Sequence, residues 1–343
     1  MDAHKARRLR AGMVIPAHPL ALREDRTLDE SLQRGLSRHY LDAGAGGLAV
    51  GVHTTQFEIR DPAVGLYERV LSLAAEEVGA RMARPQPLLV AGVMGPTPNA
   101  VREAEFAAGA GYDLAMAIMT GWGNASEDEI LRGVEEISRV LPVFGFYLQP
   151  TLSGRRFGYG FWRRYAEIPG VAAIKVAPFD RYATLDVVRA VIDAGRAGDG
   201  DDAIALYTGN DDTIVSDLLT PYRFGGTTVH IVGGLLGQWA VGAAAAVRLH
   251  REIRALVTAD PDSPVLDLLA RGARLTDVNG AVFDVANRFA GSIAGVNEVL
   301  VRDGLLNTHR CLSDHEVLST GQDAELDRVL LEHRELLFEE TLR

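Results

Sequence analysis

The sequence predicts an α/β fold: a (β/α)8 TIM barrel followed by a C-terminal helical extension. Three observations carry it. Short apolar runs alternate with longer segments of helical period from about residue 12 to residue 250, the pattern of repeated βα units around a parallel sheet. Eight such pairs occur, the number that closes a barrel. Beyond residue 260 helical segments follow one another without strands between them. The domain boundaries that follow are 1–10 for a polar N-terminal leader, 11–260 for the barrel and 261–343 for the helical region.

The predicted strands are the apolar runs 13–17, 47–53, 87–94, 113–119, 143–148, 171–177, 203–208 and 227–232. Between and after them, apolar residues recur at helical spacing in 29–43, 64–80, 100–110, 126–140, 160–168, 185–194, 213–222 and 238–257. The extension holds helical patterns at 265–275, 278–303 and 323–342. A doubly wound open sheet is the structural competitor. It would carry G-x-G-x-x-G after the first strand, and the sequence has none there.

Composition narrows the function. The chain of 343 residues is 47% hydrophobic and 24% charged, with 36 Gly and 14 Pro, which is the profile of a packed globular protein rather than a disordered, collagenous or coiled-coil one. A net charge of −11, spread along the chain, repels phosphate backbones and anionic membranes, so nucleic acid is not an expected partner. No apolar run reaches the ~18 residues that span a bilayer, and no membrane partner is expected. The single cysteine, Cys311, forms no internal disulfide, and the N-terminus lacks the apolar stretch of a signal peptide, so a cytoplasmic location is expected.

Of the 35 basic residues only Lys5 and Lys175 are lysine. Lys5 lies in the polar leader, but Lys175 sits inside the continuous apolar run 171–178, the kind of strand buried on both faces of a parallel sheet. Burial favours the neutral amine, and a neutral amine is the nucleophile that condenses with a ketone. The alternative is a buried ion pair.

Active sites of such barrels lie at the C-terminal ends of the strands. Tyr147 ends the strand before that of Lys175 and could move protons during imine formation. His53-Thr54-Thr55 ends the second strand, where hydroxyls and backbone N–H groups could cradle a carboxylate, and His53 itself could assist as a hydrogen-bonding or acid–base group. Arg155 and Arg156 could hold a second carboxylate by bidentate hydrogen bonds. Trp122 is either an aromatic wall or ordinary packing. His18, His53 and His230 fall at the ends of strands one, two and eight; with no Asp or Glu at their level, no metal is assigned to them, and His230 is read as a substrate-binding residue.

At this point the motifs resemble a known family. The runs Gly12-Met-Val-Ile-Pro-Ala, Leu28-Asp29, His39-Tyr-Leu-Asp-Ala-Gly-Ala-Gly-Gly47, Thr54-Thr55 and Glu68-Arg69 resemble the dihydrodipicolinate synthase and N-acetylneuraminate lyase superfamily in order and spacing. Tyr147-x-x-Pro150, Ile174-Lys175 and Thr208-Gly209-Asn210-Asp211 are similar to its tyrosine motif, its Schiff-base lysine and its Ser-Gly-Asp-Asp turn. The resemblance covers about residues 11 to 310. It implies a lyase, a class I pyruvate-dependent aldolase or hydro-lyase that is usually a homotetramer, with neither metal nor organic cofactor. Lys175 would attack a 2-oxo acid such as pyruvate, Tyr147 would shuttle protons, and Thr54 and Thr55 would hold the carboxylate. Gly209 and Val229 would line the pocket. A homo-oligomer, tetramer or dimer, is expected, and a non-catalytic paralogue that binds a keto or sugar acid is the alternative.

Three departures stand out. The family's Gly-Thr-Thr-Gly-Glu reads His53-Thr-Thr-Gln-Phe-Glu58, its paired tyrosines after the fourth strand are replaced by Trp122-Gly123, and the arginine five residues after the motif tyrosine is Leu152. They predict a differently shaped pocket mouth and a different second substrate from that of lysine biosynthesis.

Overall fold

The structure is a computed structural model, and it describes residues 1–81, 85–259 and 264–338. Its strands are β1 (Val14–Pro16), β2 (Gly47–Val50), β3 (Leu88–Met94), β4 (Leu114–Ile118), β5 (Val143–Leu148), β6 (Val171–Ala177), β7 (Ala205–Thr208), β8 (Tyr222–Phe224), β9 (Thr227–Val229) and β10 (Ile231–Leu236). Eight of them form one sheet in the order β1-β10-β7-β6-β5-β4-β3-β2, so that neighbours in sequence are neighbours in space, as in a (β/α)8 barrel. The two remaining strands, β8 and β9, pair antiparallel as a hairpin.

The helices are α1 (Ala3–Ala11), α2 (Glu30–Asp42), α3 (Tyr67–Gly79), α4 (Thr97–Gly109), α5 (Glu127–Ser138), α6 (Pro150–Ser153), α7 (Tyr159–Glu167), α8 (Arg181–Asp193), α9 (Ile214–Leu219), α10 (Gln238–Val241), α11 (Ala243–Ala259), α12 (Leu266–Val282), α13 (Ser292–Arg302) and α14 (Gln322–Glu332). Among the described residues no helix is long and apolar enough to cross a membrane.

By contacts the chain divides into two compact units: residues 1–13, 88–210 and 217–235, and residues 14–87, 211–216 and 236–343. In the first unit β3 to β7 and β10 pair in parallel, nearly every residue of β3 to β7 is buried, and the helices α4, α5, α7 and α8 follow β3, β4, β5 and β6 in turn. Local sequence sets the helix starts. Ser126 and Glu129 form a reciprocal capping box at α5, and Asp180 caps α8 by accepting from the Ala183 N–H. Helix α1 is tied to the strands by the Tyr207 hydroxyl, which donates to Leu9 O at 2.8 Å, and by the Lys5–Asp113 ion pair at 2.5 Å.

In the second unit Ala17, just after β1, forms a parallel bridge with Ala49 on β2, and the His18 N–H donates to Ala49 O at 2.8 Å. Asp29 caps α2 from the Leu32 N–H. Helices α12, α13 and α14 make up the helical region.

Five expectations are corrected. Residues 1–10, read as a polar leader with no assigned element, form most of helix α1, and Lys5 pairs with Asp113. The run 227–232 is not the eighth strand; 227–229 belongs to the hairpin, and the barrel strand is Ile231–Leu236, because Gly225-Gly226 turns the chain back with positive φ at both glycines. The second strand stops at Val50, and His53–Thr55 is a turn of 3-10 helix. The segment 238–257 is broken at Gly242, where a Cβ would lie 3.1 Å from Leu337 Cδ2 and 3.2 Å from its Cα, so that the chain passes close only because the position has no side chain. The boundary at 260/261 lies outside the described residues; the helix expected over 323–342 ends at Glu332, and a 3-10 turn at Arg334–Leu336 follows it.

Candidate active site

Register decides which side chains of the first unit meet. On β5 and β6 the paired residues are Phe146 with Lys175 and Tyr147 with Val176, and on β6 and β7 Lys175 pairs with Tyr207. Side chains alternate along a strand, so Phe146, Lys175 and Tyr207 share one face and Tyr147 lies on the other. The helix side is identified by Gly145, whose Cβ would meet the Tyr165 ring of α7 at 2.9 Å. Lys175 therefore projects from the face turned away from the helices. Its side chain is buried, and its Nζ stands over the Phe146 ring, 4.3 Å from the centroid. Gly209 covers its stem: a Cβ on Gly209 would lie 2.3 Å from Lys175 Cε. The Gly209 N–H donates to Val176 O at 2.8 Å, which holds that backbone against β6.

The structure does not bring Tyr147 to Lys175. Its ring packs on the helix side against Trp162, with centroids 5.0 Å apart, and its hydroxyl donates to Phe157 O at 2.8 Å. Burial raises its pKa above the ordinary phenol value. The 28-residue spacing is real, but the pairing is offset by one residue, and one residue of offset in a strand is a change of face.

Beside Phe146, the C-terminal ends of β4 and β5 and the loops after them enclose a cleft of about 520 Å³. Ile118, Met119, Phe146, Leu148 and Phe157 give it apolar walls, and Thr120, Asn124, Ser126, Ser153 and Arg155 give it polar ones. Arg155 lines this cleft with its guanidinium 4.9 Å above the Phe157 ring and donating to Ala125 O at 2.5 Å. Arg156 points to solvent and pairs with Asp180. Trp122 is not a cleft wall. Its indole is buried where side chains at Gly95 and Gly133 would collide with it, and its Nε1 donates to Thr97 Oγ1 at 3.1 Å, so packing is its role. Val229 is buried in the hairpin opposite Tyr222, and His230 is a half-buried residue between β9 and β10.

In the second unit Thr54 and Thr55 are both buried, and their hydroxyls donate to His18 O at 3.4 and 2.7 Å. The Thr55 N–H donates to Val52 O at 3.0 Å, so the expected cradle of uncommitted donors is corrected: the Thr55 donors are taken up by Val52 O within the turn and by His18 O. His53 packs against Phe57, centroids 5.6 Å apart. His18 is a structural residue, fully buried, with Nδ1 donating to Pro19 O and Nε2 accepting from Ser37 Oγ, both at 2.8 Å. Burial lowers its pKa to about 4, so the ring is neutral. Among the described residues Asp277, Glu332 and His333 converge with ligand-like geometry, but Arg328 reaches Asp277 at 2.8 Å and Glu332 at 3.0 Å, so both carboxylates already pair with a cation of the chain itself.

Sequence reasoning missed Asp217. Fully buried, its carboxylate accepts from Thr208 Oγ1 at 2.6 Å, Asn210 Nδ2 at 3.0 Å, Arg181 at 2.5 Å and the Tyr222 hydroxyl at 3.3 Å. An acidic residue in the apolar run Ile-Val-Ser-Asp-Leu-Leu was the available signal.

No protein-family model matches the chain. It is 26% identical over 255 residues to the 4-hydroxy-tetrahydrodipicolinate synthase of Dechloromonas aromatica, covering 72% of this chain and 79% of that one. It is 28% identical over 204 residues to the enzyme of the same name from Bifidobacterium longum, covering 58% and 60%. In fold it matches a dihydrodipicolinate synthase from Acinetobacter baumannii, solved with pyruvate, at a TM-score of 0.74 and 16% identity over 94% of this chain and 98% of that one. It also matches CdNal from Clostridium difficile, solved with mannosamine, at a TM-score of 0.70 and 16% identity over 94% and 99%. The chain is thus similar in sequence to 4-hydroxy-tetrahydrodipicolinate synthases and shares its fold with solved dihydrodipicolinate synthases and CdNal.

Proposed function

We propose that the protein is an aldolase-type lyase in which Lys175 forms an imine with a 2-oxo acid of pyruvate type. The observation that carries the reading is the placement of Lys175, the sole lysine beyond α1, buried on β6 between the Phe146 ring and the Gly209 backbone. The deprotonated amine adds to the keto carbon, and the carbinolamine loses water to give the imine. Protonated, the imine is the electron sink that lets a C–C bond form or break through the enamine, or water leave. Hydrolysis then returns the amine.

The cleft beside Phe146 is proposed to take the second reactant, with Arg155 binding an anionic group and Phe146, Phe157 and Met119 favouring an apolar body. Relatives solved with pyruvate support the keto-acid half of the reading. One observation favours a second reading, a keto-acid binder without turnover: Tyr147, the expected proton carrier, faces away from Lys175.

Incubation with pyruvate and borohydride, followed by peptide mass mapping, tests the reading. An adduct on Lys175, lost in Lys175→Arg, is expected. Turnover of any 2-oxo acid by Lys175→Arg overturns it, and an adduct without turnover across a panel of 2-oxo-3-deoxy sugar acids and aromatic pyruvate adducts favours the binder.

A further inference from the structure

Gly209 has no side chain with which to hold its own position, yet its backbone must stay within contact of the Lys175 stem. The bonds that fix it radiate from Asp217. Thr208 immediately before Gly209 and Asn210 immediately after it both donate to the Asp217 carboxylate, at 2.6 and 3.0 Å. Asn210 then spends its Oδ1 on the Phe179 N–H at 3.0 Å, four residues beyond Lys175, at a position of positive φ that the bond helps to hold. Its Nδ2 also meets Thr184 Oγ1 on α8 at 3.2 Å. Arg181, at the start of α8, donates to the carboxylate and to the Tyr222 hydroxyl. One buried carboxylate thus joins the loop after β6 to the turn after β7, and Gly209 of that turn packs on the Lys175 stem.

We propose that Asp217 is a positioning residue for the imine-forming lysine: through Thr208 and Asn210 it holds the Gly209 backbone against the Lys175 stem and so sets the direction of the amine. It touches no reacting atom. The proposal rests on the reading of Lys175 as the nucleophile. Exchange of the carboxylate for an amide leaves a single acceptor oxygen, and Asn210 Nδ2 and Arg181, which only donate, meet different oxygens of Asp217, so those two bonds cannot both survive. Loss of direction in a nucleophile slows the covalent step more than it weakens ligand capture.

The test uses the full-length chain and pyruvate as probe, reading the rate of borohydride-trapped adduct on Lys175 against pyruvate concentration. For Asp217→Asn the limiting trapping rate is expected to fall tenfold or more, with the half-saturating pyruvate concentration within threefold of wild type. The exchanged pair Asp217→Asn with Asn210→Asp restores the bond between the two positions, and it is expected to recover at least threefold of that rate. A folded Asp217→Asn that traps at the wild-type rate overturns the proposal and leaves the Lys175 reading intact. Equal losses of rate and affinity with no recovery in the exchanged pair, the mark of a general loosening, overturn it as well. If Asp217→Asn does not fold, Thr208→Val carries the test: a threefold or larger loss of limiting rate supports the proposal, and a wild-type rate overturns it. Wild-type protein that yields no Lys175 adduct defeats the underlying reading first.

Discussion

Gly209 and Lys175 are packed so closely that a single methyl group at Gly209 would lie 2.3 Å from Lys175 Cε and 2.7 Å from Ala177 Cβ. Only glycine fits. The lysine stem can swing away but the Ala177 methyl on β6 cannot, so a larger residue must displace either the amine or the loop. Gly209→Ala is expected to cost about 1–3 kcal/mol in a urea titration, the usual penalty of overpacking. It is expected to cut Lys175 trapping by pyruvate at least tenfold. Wild-type trapping in a destabilised variant would show that the contact serves packing alone.

Tyr147 offers a second test, because the family likeness and the register disagree about it. With its hydroxyl bonded to Phe157 O on the helix side, Tyr147→Phe removes one buried hydrogen bond and should cost about 1 kcal/mol. Trapping at Lys175 is expected to stay within a fewfold of wild type. A hundredfold fall in turnover with stability unchanged would return the phenol to the proton path.

Arg155 is expected to govern the second reactant and not the first. Arg155→Gln keeps a donor and loses the charge, worth about 1.5–3 kcal/mol in a charged hydrogen bond, so KM for an anionic aldehyde should rise tenfold or more while pyruvate trapping is unaltered. Equal effects on both reactants would place the guanidinium in a general structural role.

His18 makes stability depend on pH. The folded ring titrates near 4, below the unfolded value of 6.5, so between those values the unfolded chain binds the extra proton. The stability it contributes is whole above pH 6.5 and falls as the pH drops towards 4, by roughly 1.4 kcal/mol per pH unit. Urea titrations at pH 7 and pH 5 should show a smaller loss in His18→Gln than in wild type. Equal losses would mean that the ring accepts a proton in place.

Much of this molecule was legible in its sequence. The runs 143–148 and 171–177 are strands with the limits that their apolar pattern predicts, and Asp29 and Ser126 stand where helices begin. The lone barrel lysine was conspicuous because burying a charge is costly and a sequence rarely does so idly. The hairpin was missed because its strands are three residues long, too short for a period to register.

By itself the sequence determined the βα alternation, the helical tail and the singular lysine, since these depend on which residues tolerate burial and at what repeat. Tertiary structure alone decided that Lys175 pairs with Phe146 and not with Tyr147, that Gly209 presses on its stem, and that Asp217 gathers four donors. Those relations depend on the register between strands distant in the chain. A shift of one residue there inverts every face and leaves the local pattern of each strand unchanged.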